Sequence, residues 1–382
     1  MTATALRDTI DSRFTFELNQ DAAPDDVRAA QLANPHFGRV FTDHMVSIAY
    51  DPDQGWHSAS VRPLAPLPLH PATAALHYAQ EVFEGLKAHR RGDGSVVLFR
   101  CDAHAARFNR SLRRMSMPAL PEDLFRAAVR ALVTADAAWV PEQHDASLYV
   151  RPFMFATDTA LGAGKPSARY LFVVIASPSG PYFGSRRDPL RVWISDRHVR
   201  AAVGGTGEAK AGANYAGALL GLQEAADADC DQAVWLDAAE RRWIEEAGAM
   251  NLFFVLDGPS GTRLRTPPLS GTFLPGITRD SILALAPHLG LVATEGRVSV
   301  QGWHRRCRSG QMTEAFACGT ASVIAGIGEV RSARASWHVG HGGEGPVTTT
   351  LRDELVGIQR GTRPDRFGWI ETVVPGMTVS HT

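Results

Sequence analysis

Lys210 is the residue of this sequence whose chemistry most needs an explanation. The chain contains 39 lysines and arginines, of which only Lys87, Lys165 and Lys210 are lysines. Lys210 lies in the glycine-rich, charge-poor run 204–215. Arginine can replace lysine wherever a solvated positive charge is enough, but a guanidinium keeps its proton and cannot form a Schiff base. Lys210 is therefore either a solvated lysine in a glycine loop or, as we favour, an amine that reacts with an aldehyde.

Two short segments in the second half could hold a phosphate group for such an aldehyde compound. Pro275–Asp280 precedes a predicted helix, so the backbone N–H groups of Ile277 and Thr278 could bind an anion at the helix N-terminus. Thr278 could equally be a simple N-cap of that helix. The turn Gly319–Ser322 offers further exposed donors, although such turns are common. These segments indicate a phosphate site only in combination with Lys210.

Two adjacent acids, Glu245 and Glu246, precede a glycine turn and the apolar run Leu252–Leu256. A buried carboxylate can form a charge-assisted hydrogen bond with a protonated ring nitrogen, whereas a second acid beside it is normally solvated. The residues alone do not decide between Glu245 and Glu246. With the lysine and the phosphate segments, one of these acids would complete the groups that an aldehyde cofactor with a cationic ring requires.

Size and composition predict a two-domain protein that acts on small molecules. At 382 residues the chain exceeds the usual single core, and its 45% hydrophobic and 21% charged content is ordinary for a globular protein. A net charge of −1 gives no electrostatic footprint for nucleic acid. No apolar stretch approaches the roughly 20 residues of a membrane helix, and Met1–Arg13 lacks a secretory h-region. We expect no nucleic-acid or membrane partner and a cytoplasmic location.

The cysteines predict neither a metal site nor a disulfide framework. Cys101, Cys230, Cys307 and Cys318 show no C-x-x-C spacing and no histidine-rich partner segment. We therefore expect reduced, mostly structural thiols and no bound metal.

Hydrophobic patterns predict two α+β domains without internal repeats. The first half has alternating runs at Phe41–Tyr50 and Trp56–Leu69, a hairpin over 87–100, helices at Asp102–Met115 and Glu122–Ala137, and strands at Ser147–Phe155 and Tyr170–Ser177. The second half has helices at Tyr215–Ala228 and Arg279–Leu289 and strands at Ala233–Leu236, Asn251–Leu256 and Ser322–Ile327. We divide the chain into a smaller N-terminal α/β domain at 1–184, a connection at 185–200, and a larger C-terminal domain at 201–382 that binds the cofactor.

In their order along the chain, these segments resemble the branched-chain amino-acid aminotransferases, which are fold-type IV pyridoxal-phosphate enzymes. The resemblance runs from about Phe37 to the region near Gly368. The motifs that carry it are Phe37–Met45, His77–Tyr78 with Phe83–Ala88, Tyr149–Pro152, Gly204–Tyr215, and Thr266–Gly271 through Arg279. The resemblance implies an α/β protein of two α+β domains with the D-amino-acid-aminotransferase-like architecture, a homodimer, and the cofactor pyridoxal 5′-phosphate.

The resemblance also assigns the cofactor contacts. Lys210 matches the Schiff-base lysine, which also takes the substrate's α-proton and returns it to the cofactor. Glu246, immediately before the Ala-Gly-x-Met-Asn turn, matches the acid on the pyridine nitrogen, and Tyr215 matches the tyrosine on the cofactor's phenolic oxygen. The matched phosphate contacts are Arg107, Ile277, Thr278 and Thr320.

For the substrate, the resemblance implies one pocket for both aliphatic and acidic side chains. The residues matched to it are Phe37, Tyr78, Phe83, Tyr149, Arg151, Tyr182, Ala249, Thr320 and Ala321. Arg151 and the Thr320–Ala321 turn would bind carboxylates against an aromatic wall. Any one of these aromatic residues taken alone would be expected in a core. The implied reaction is a ping-pong transfer of the amino group of leucine, isoleucine or valine to 2-oxoglutarate, which gives branched-chain 2-oxo acids and L-glutamate.

Two departures from the family's pattern bear on substrate and regulation. Ala249 stands where many relatives have threonine, which removes a hydroxyl that could contact the substrate carboxylate. Ser322 and Ala325 stand where the animal enzymes have a redox C-x-x-C. The alternatives are the same chemistry on an unusual aliphatic or aromatic amino acid in specialised biosynthesis, a D-amino-acid transaminase or lyase of this fold, and a non-catalytic protein that binds pyridoxal phosphate.

Overall fold

Residues 9–162, 164–183, 188–258 and 261–376 are described by the computed structural model. Contacts divide the chain into a first unit, Met1–Gly184 with Gly357–Thr382, and a second unit, Ser185–Val356. The sequence-based division differs, since it counted 357–382 with the second domain and made that domain the larger. These residues belong to the first unit because Ile370–Val374 forms an edge strand of its sheet. The start of the expected connection, 185–187, lies outside the described residues.

The first unit is built on a nine-stranded sheet. Its strands are β1 Thr15–Phe16, β2 His44–Asp51, β3 Gly55–Pro63, β4 Glu81–Phe83, β5 Leu86–Arg90, β6 Val96–Phe99, β7 Ser147–Ala156, β8 Tyr170–Ser179 and the last strand in chain order, β18 Ile370–Val374. Their order is β1-β3-β2-β8-β7-β5-β6-β18, and β4 pairs with β7. The pairs are antiparallel except β1 with β3.

Helices cover one face of this sheet. The helices of the first unit are α1 Asp25–Ala33, α2 Ala74–Tyr78, α3 Cys101–Arg114 and α4 Glu122–Ala135. In α4, Leu124, Phe125, Ala128 and Leu132 are buried at spacings of three and four, and this apolar stripe packs against β2 and β8. The core of the first unit therefore lies between the sheet and the layer of α3 and α4.

The two faces of β7 differ in character. Leu148, Val150 and Met154 belong to the core under the helices. Because side chains alternate along a strand, Tyr149 and Arg151 lie on the opposite face. This second face carries Tyr149 and Arg151, two of the residues that the sequence assigns to the substrate.

The second unit contains a closed ring of strands. Its strands are β9 Leu190–Ser195, β10 Gln232–Leu236, β11 Ile244–Ala247, β12 Met250–Leu256, β13 Arg263–Thr266, β14 Val292–Glu295, β15 Met312–Gly319, β16 Val323–Arg331 and β17 Ser336–His338. The order β11-β10-β9-β16-β15-β12 closes on itself because β12 also pairs with β11. β13 and β14 extend from β12, and β17 pairs with β16.

The described part of the second unit contains five α-helices. They are α5 Gly212–Ala216, α6 Leu219–Asp227, α7 Ile277–Leu285, α8 Val300–Arg308 and α9 Pro346–Arg360, whose last residues belong to the first unit. Buried Glu314 on β15 accepts hydrogen bonds from the backbone N–H groups of Val347 at 3.0 Å and Thr348 at 2.8 Å. A carboxylate in this position stabilises the first turn of α9.

Both units mix helices and strands, and the predicted fold class is confirmed. The antiparallel start, the β5–β6 hairpin, α3 and α4, and β7 with β8 are formed close to the predicted bounds. The prediction of one continuous helix over Tyr215–Ala228 was wrong, since Gly217 and Ala218 separate α5 from α6. Every helix within the described ranges is too short or too polar to cross a membrane.

Candidate functional site

The loop that carries Lys210 is held in place by Asn214 of α5. The side-chain amide of Asn214 donates to the backbone oxygens of Thr206 and Ala209, both at 2.8 Å, and its Oδ1 accepts the Thr206 hydroxyl at 2.7 Å. Gly207 allows a close approach to the neighbouring segment, because a Cβ there would lie 2.1 Å from the backbone oxygen of Thr272. These contacts fix the backbone on both sides of Lys210.

Lys210 meets Tyr215, the second predicted cofactor contact of this loop. Nζ of Lys210 donates to the phenolic oxygen of Tyr215 at 2.9 Å and lies 5.4 Å from the ring centroid. Both side chains are half-buried. The structure therefore brings the predicted lysine and tyrosine into direct contact, within reach of a small molecule.

Glu246 is a buried acid with one oxygen that accepts no hydrogen bond in the described part of the chain. Its exposure is 2%, and Arg200 lies beside it with one terminal nitrogen 2.7 Å from Oε1. This contact lacks the angle of a hydrogen bond, and Oε1 has no hydrogen-bond partner in the described part of the chain. Burial raises the pKa of Glu246 to about 7, and the positive charges of Arg200 and Lys210 offset only part of this rise.

Glu245 has a different environment on the opposite face of β11. Its Oε1 accepts the hydroxyl of Thr272 at 2.5 Å and that of Ser270 at 3.4 Å. Burial raises the pKa of this carboxyl as well, while the Thr272 hydrogen bond opposes the rise. The two acids therefore differ in local geometry, because Oε1 of Glu245 accepts hydroxyl groups, whereas Oε1 of Glu246 accepts no hydrogen bond within the described part of the chain.

The predicted phosphate segment forms the start of α7. The helix begins at Ile277 with Gly276 as the N-cap, so Thr278 is a helix residue and not the N-cap. The N–H groups of Ile277 and Thr278 belong to the first turn, which has no intrahelical acceptors for them. Gly276 is required by a close approach, because a Cβ there would lie 2.0 Å from Oδ1 of Asn251. The same Asn251 donates to the backbone oxygen of Leu274 at 3.0 Å.

The second small-residue turn, Thr320–Ser322, connects β15 to β16. Val323, which follows it, has a φ of 59°, a left-handed conformation that is unusual for a β-branched residue. The hydroxyl of Ser322 lies 3.3 Å from the sulfur of Met250, next to the exposed Ala249 in the β11–β12 turn. The predicted positions Thr320, Ala321 and Ala249 are therefore neighbours at one end of adjacent strands.

Five of the predicted substrate residues form a cluster in the first unit. The ring of Phe37 contacts those of Tyr149 and Tyr182 edge-on, with centroid distances of 4.8 and 5.5 Å. Arg151 reaches the phenolic oxygen of Tyr149 at 3.4 Å, and its guanidinium carbon lies 4.7 Å from the centroid of Phe83. Phe83 thus joins the cluster through Arg151. We call these five residues the aromatic–arginine wall.

Tyr78 is separate from the aromatic–arginine wall in the described contacts. It ends α2, is 43% exposed, and has its ring centroid 6.1 Å from that of its neighbour His77. Among the described residues, Tyr78 therefore has no ring contact with the aromatic–arginine wall.

Arg107, the predicted phosphate arginine, lies in a buried ionic network. Its Nε and one terminal nitrogen donate to the two oxygens of Glu84 at 2.6 and 2.9 Å, and His104 Nδ1 lies 2.7 Å from the same carboxylate. Burial alone would raise the pKa of Glu84, but Arg107 and His104 hold it well below its usual range. The network fixes the direction of the Arg107 side chain.

Three residues that position this chemistry were not singled out from the sequence. Glu84 and Asn214 stand inside quoted motifs, Phe83–Ala88 and Gly204–Tyr215, and the motif context was the signal that could have found them. Arg200, which lies outside those motifs, has no local signal in the sequence. Its role follows only from the contact with Glu246.

Comparison with known proteins gives consistent results. A family described as amino-transferase class IV matches residues 81–330. The "Probable branched-chain-amino-acid aminotransferase" of Streptomyces coelicolor is 53% identical, with 94% of this chain and 99% of the relative covered. The branched-chain-amino-acid aminotransferase of Mycolicibacterium smegmatis is 50% identical, with 94% and 97% covered. The structure of the Thermobaculum terrenum branched-chain amino acid aminotransferase in PLP-form has a TM-score of 0.68 at 25% identity, with 90% of this chain and 99% of that chain covered.

The Glu84 network predicts a loss of stability on removal of its charge. Glu84→Gln leaves Arg107 buried without its counter-charge, so we expect the free energy of unfolding at pH 7 to fall by about 3 kcal/mol. Because the folded-state pKa of Glu84 is depressed, its contribution to stability is present above the ordinary glutamate pKa of 4.5 and is lost as the pH falls below it. Urea unfolding at several pH values measures this. Glu142→Gln, at an exposed position, is the control, and equal stability of the two variants would contradict the prediction.

Gly85 is predicted to be required by the ring of Tyr149. A Cβ at Gly85 would lie 1.8 Å from the phenolic oxygen of Tyr149, so Gly85→Ala must displace this ring at a cost of about 1–3 kcal/mol. Truncating the ring in Gly85→Ala/Tyr149→Ala removes the clash, and we expect the two substitutions to be non-additive in urea unfolding. Gly92→Ala, where a Cβ meets nothing within 4 Å, is the matched control. Additive losses would exclude the steric explanation.

Proposed function

Since the chain belongs to the amino-transferase class IV family, we propose that it transfers amino groups from branched-chain L-amino acids to 2-oxoglutarate. The products are branched-chain 2-oxo acids and L-glutamate. The observation that carries the proposal is the second unit's arrangement of Lys210, Tyr215 and the buried, raised-pKa Glu246. The names of the curated relatives support the choice of substrate.

Pyridoxal 5′-phosphate is the proposed cofactor, and the residues present fit it. Glu246 has a buried oxygen without a hydrogen-bond partner among the described residues, as an acid that receives a ring N–H would. Gly276 and the first turn of α7 supply a place where backbone N–H groups of Ile277 and Thr278 can hold a phosphate. Arg107 is proposed for the same phosphate on the family resemblance.

Each residue has a separate chemical task. The bound cofactor supplies an aldehyde for the amino group and a protonated ring that withdraws electrons from the substrate's Cα. Lys210 would hold this group through Nζ until the substrate's amino group displaces it, and the freed amine would then take the proton from Cα and return it. Tyr215 orients Nζ through its phenolic oxygen. Glu246 becomes a carboxylate when a cation is placed against it, because the added positive charge lowers its pKa.

The aromatic–arginine wall is proposed as the side-chain subsite. Its rings offer an apolar surface for leucine, isoleucine or valine, and Arg151 offers a charge for the distal carboxylate of glutamate. Tyr78 is proposed as a further substrate contact on the family resemblance. The Thr320–Ala321 turn supplies backbone N–H groups for the α-carboxylate, and Ala249 next to it offers no hydroxyl. The protein is proposed to act as a cytoplasmic homodimer.

The direct test uses the purified protein loaded with pyridoxal phosphate. We expect L-leucine to change the visible absorbance of the lysine-bound cofactor, and 2-oxoglutarate added afterwards to restore it with release of L-glutamate. A spectrum that does not respond to leucine, isoleucine or valine would overturn the proposed substrate class. Formation of D-glutamate would assign the protein to the D-amino-acid branch of the fold.

Lys210→Ala is predicted to abolish turnover without unfolding the protein. Loss of both the covalent anchor and the proton carrier should lower the rate on the order of a thousandfold or more. The leucine reaction and the visible spectrum measure the effect, and circular dichroism checks the fold. Lys165→Ala, at an exposed position, is the matched lysine control. Transamination retained in Lys210→Ala would sink the assignment.

The two adjacent acids are predicted to differ in function. Glu246→Gln should lower kcat by about a hundredfold, because a neutral amide cannot stabilise the cationic ring. Glu245→Gln, the same change one residue earlier, keeps hydrogen-bonding capacity toward Thr272 and Ser270 and should affect kcat by less than about tenfold. Steady-state kinetics with leucine compares the two. Equal losses in both variants would contradict the assignment of Glu246.

A further inference from the structure

Lys87 is a buried lysine that the proposed chemistry does not yet use. It is one of only three lysines in a chain that otherwise uses arginine for its positive charges. It is 9% exposed, whereas Lys165 is fully on the surface. Burial, and secondarily the positive charge of Arg360, lower the pKa of Lys87 to about 7.

The position of Lys87 connects it to the aromatic–arginine wall. In the β5–β7 ladder its Cα is paired with that of Tyr149, while its neighbours Leu86 and Ala88 point to the opposite face and belong to the helix-covered core. Directly paired residues of an antiparallel ladder have Cβ atoms about 5 Å apart on the same face. Lys87 therefore lies beside Tyr149, on the face that also carries Arg151.

The charged groups that lower the pKa values of Lys87 and its neighbour His89 are positive. His89 lies two residues along the same strand, and burial and the charges of Arg360, Lys87 and Arg91 hold its pKa well below its usual value. Arg360, at the end of α9, donates to backbone oxygens of Arg90 and Gln143 at 3.0 and 2.8 Å. The carboxylate of Glu84 is engaged with Arg107 and His104. Among the described residues, an anion that entered this region would meet the positive charges of Arg360 and Arg91.

One side-chain subsite has to accept two kinds of substrate in the proposed ping-pong reaction. When an aliphatic side chain covers a permanently charged group, the charge loses water, which costs free energy. A neutral group, in contrast, attracts a second carboxylate only weakly. We propose that Lys87 is a specificity-determining residue of this subsite, uncharged beside an aliphatic side chain and protonated beside the distal carboxylate of an acidic substrate. This inference rests on the proposed transaminase function.

The identity of the residue fits this role. Arginine stays protonated in proteins, so it could not become neutral when leucine occupies the subsite. A buried amine whose pKa lies near neutrality changes its charge at small cost in free energy, because one pKa unit corresponds to about 1.4 kcal/mol. Arg151 supplies the permanent charge of the wall, and Lys87 supplies the charge that depends on the substrate.

The test compares two amino donors in the same half-reaction. The visible absorbance of the loaded enzyme is followed after addition of L-glutamate or L-leucine alone, from about pH 6 to about pH 8.5, which brackets the pKa of Lys87. The ratio of the two kcat/KM values cancels groups that serve both donors, such as Lys210 and Glu246. Because the protonated form of Lys87 prevails below pH 7, we expect the glutamate-to-leucine ratio to fall about tenfold as the pH rises through this range.

Substitutions locate the effect. Lys87→Met keeps the length and apolar stem of the side chain without its charge. It should lower the glutamate-to-leucine ratio at low pH about tenfold and remove its pH dependence. Lys87→Arg should keep a high ratio that no longer changes with pH. Lys165→Met, the same substitution on the surface, is the control.

The outcomes separate the two proposals. A ratio that is independent of pH in the unmodified enzyme, or a Lys87→Met variant that loses activity equally with both donors, would overturn the role of Lys87. The proposed function would stand in either case, because it requires only that leucine reacts. An enzyme whose spectrum responds to neither donor would overturn the function itself.

Discussion

The pairing of β11 with β12 is the constraint on which the site of the second unit depends. This pairing closes the strand ring and places Glu246 opposite Asn251. Asn251 in turn packs against Gly276 and binds the oxygen of Leu274, just before α7 begins. The position of the acid and that of the helix N-terminus are thus set by one pair of residues. A closed ring leaves these strands little freedom to shift in register, so the distance between acid and helix is preserved.

Glu84 and Glu246 are both buried carboxylates, but their negative charges are compensated to different extents. Both lose their contact with water, which by itself disfavours the charged form. Glu84 receives a guanidinium and an imidazole, and its charge is fully compensated within the protein. Glu246 has Arg200 nearby in a geometry that does not form a hydrogen bond. The first arrangement satisfies both oxygens of the carboxylate with hydrogen bonds, whereas the second leaves Oε1 of Glu246 without a hydrogen bond among the described residues.

Local sequence patterns predicted those helices and strands whose formation depends mainly on their own residues. The alternation along β7 and the apolar stripe of α4 are visible in the sequence because burial on one face repeats with the period of the strand or helix. The different environments of Glu245 and Glu246 were not predictable from these residues, since the hydroxyl that Glu245 accepts belongs to Thr272, more than twenty positions later. The contribution of Ile370–Val374 to the first unit was missed for the same reason, because its pairing partner β6 lies far away in the chain.

The pairing of β18 with β6 in the first unit affects when this sheet can be completed during translation. β6 leaves the ribosome early, but the strand that covers its outer edge is synthesised about 270 residues later, a delay on the order of tens of seconds at 5–20 residues per second. During this interval the buried, β-branched edge Val96–Phe99 has unpaired backbone groups, which can template pairing with another chain. The outer edge of β6 therefore stays uncovered in the nascent first unit until translation is nearly complete.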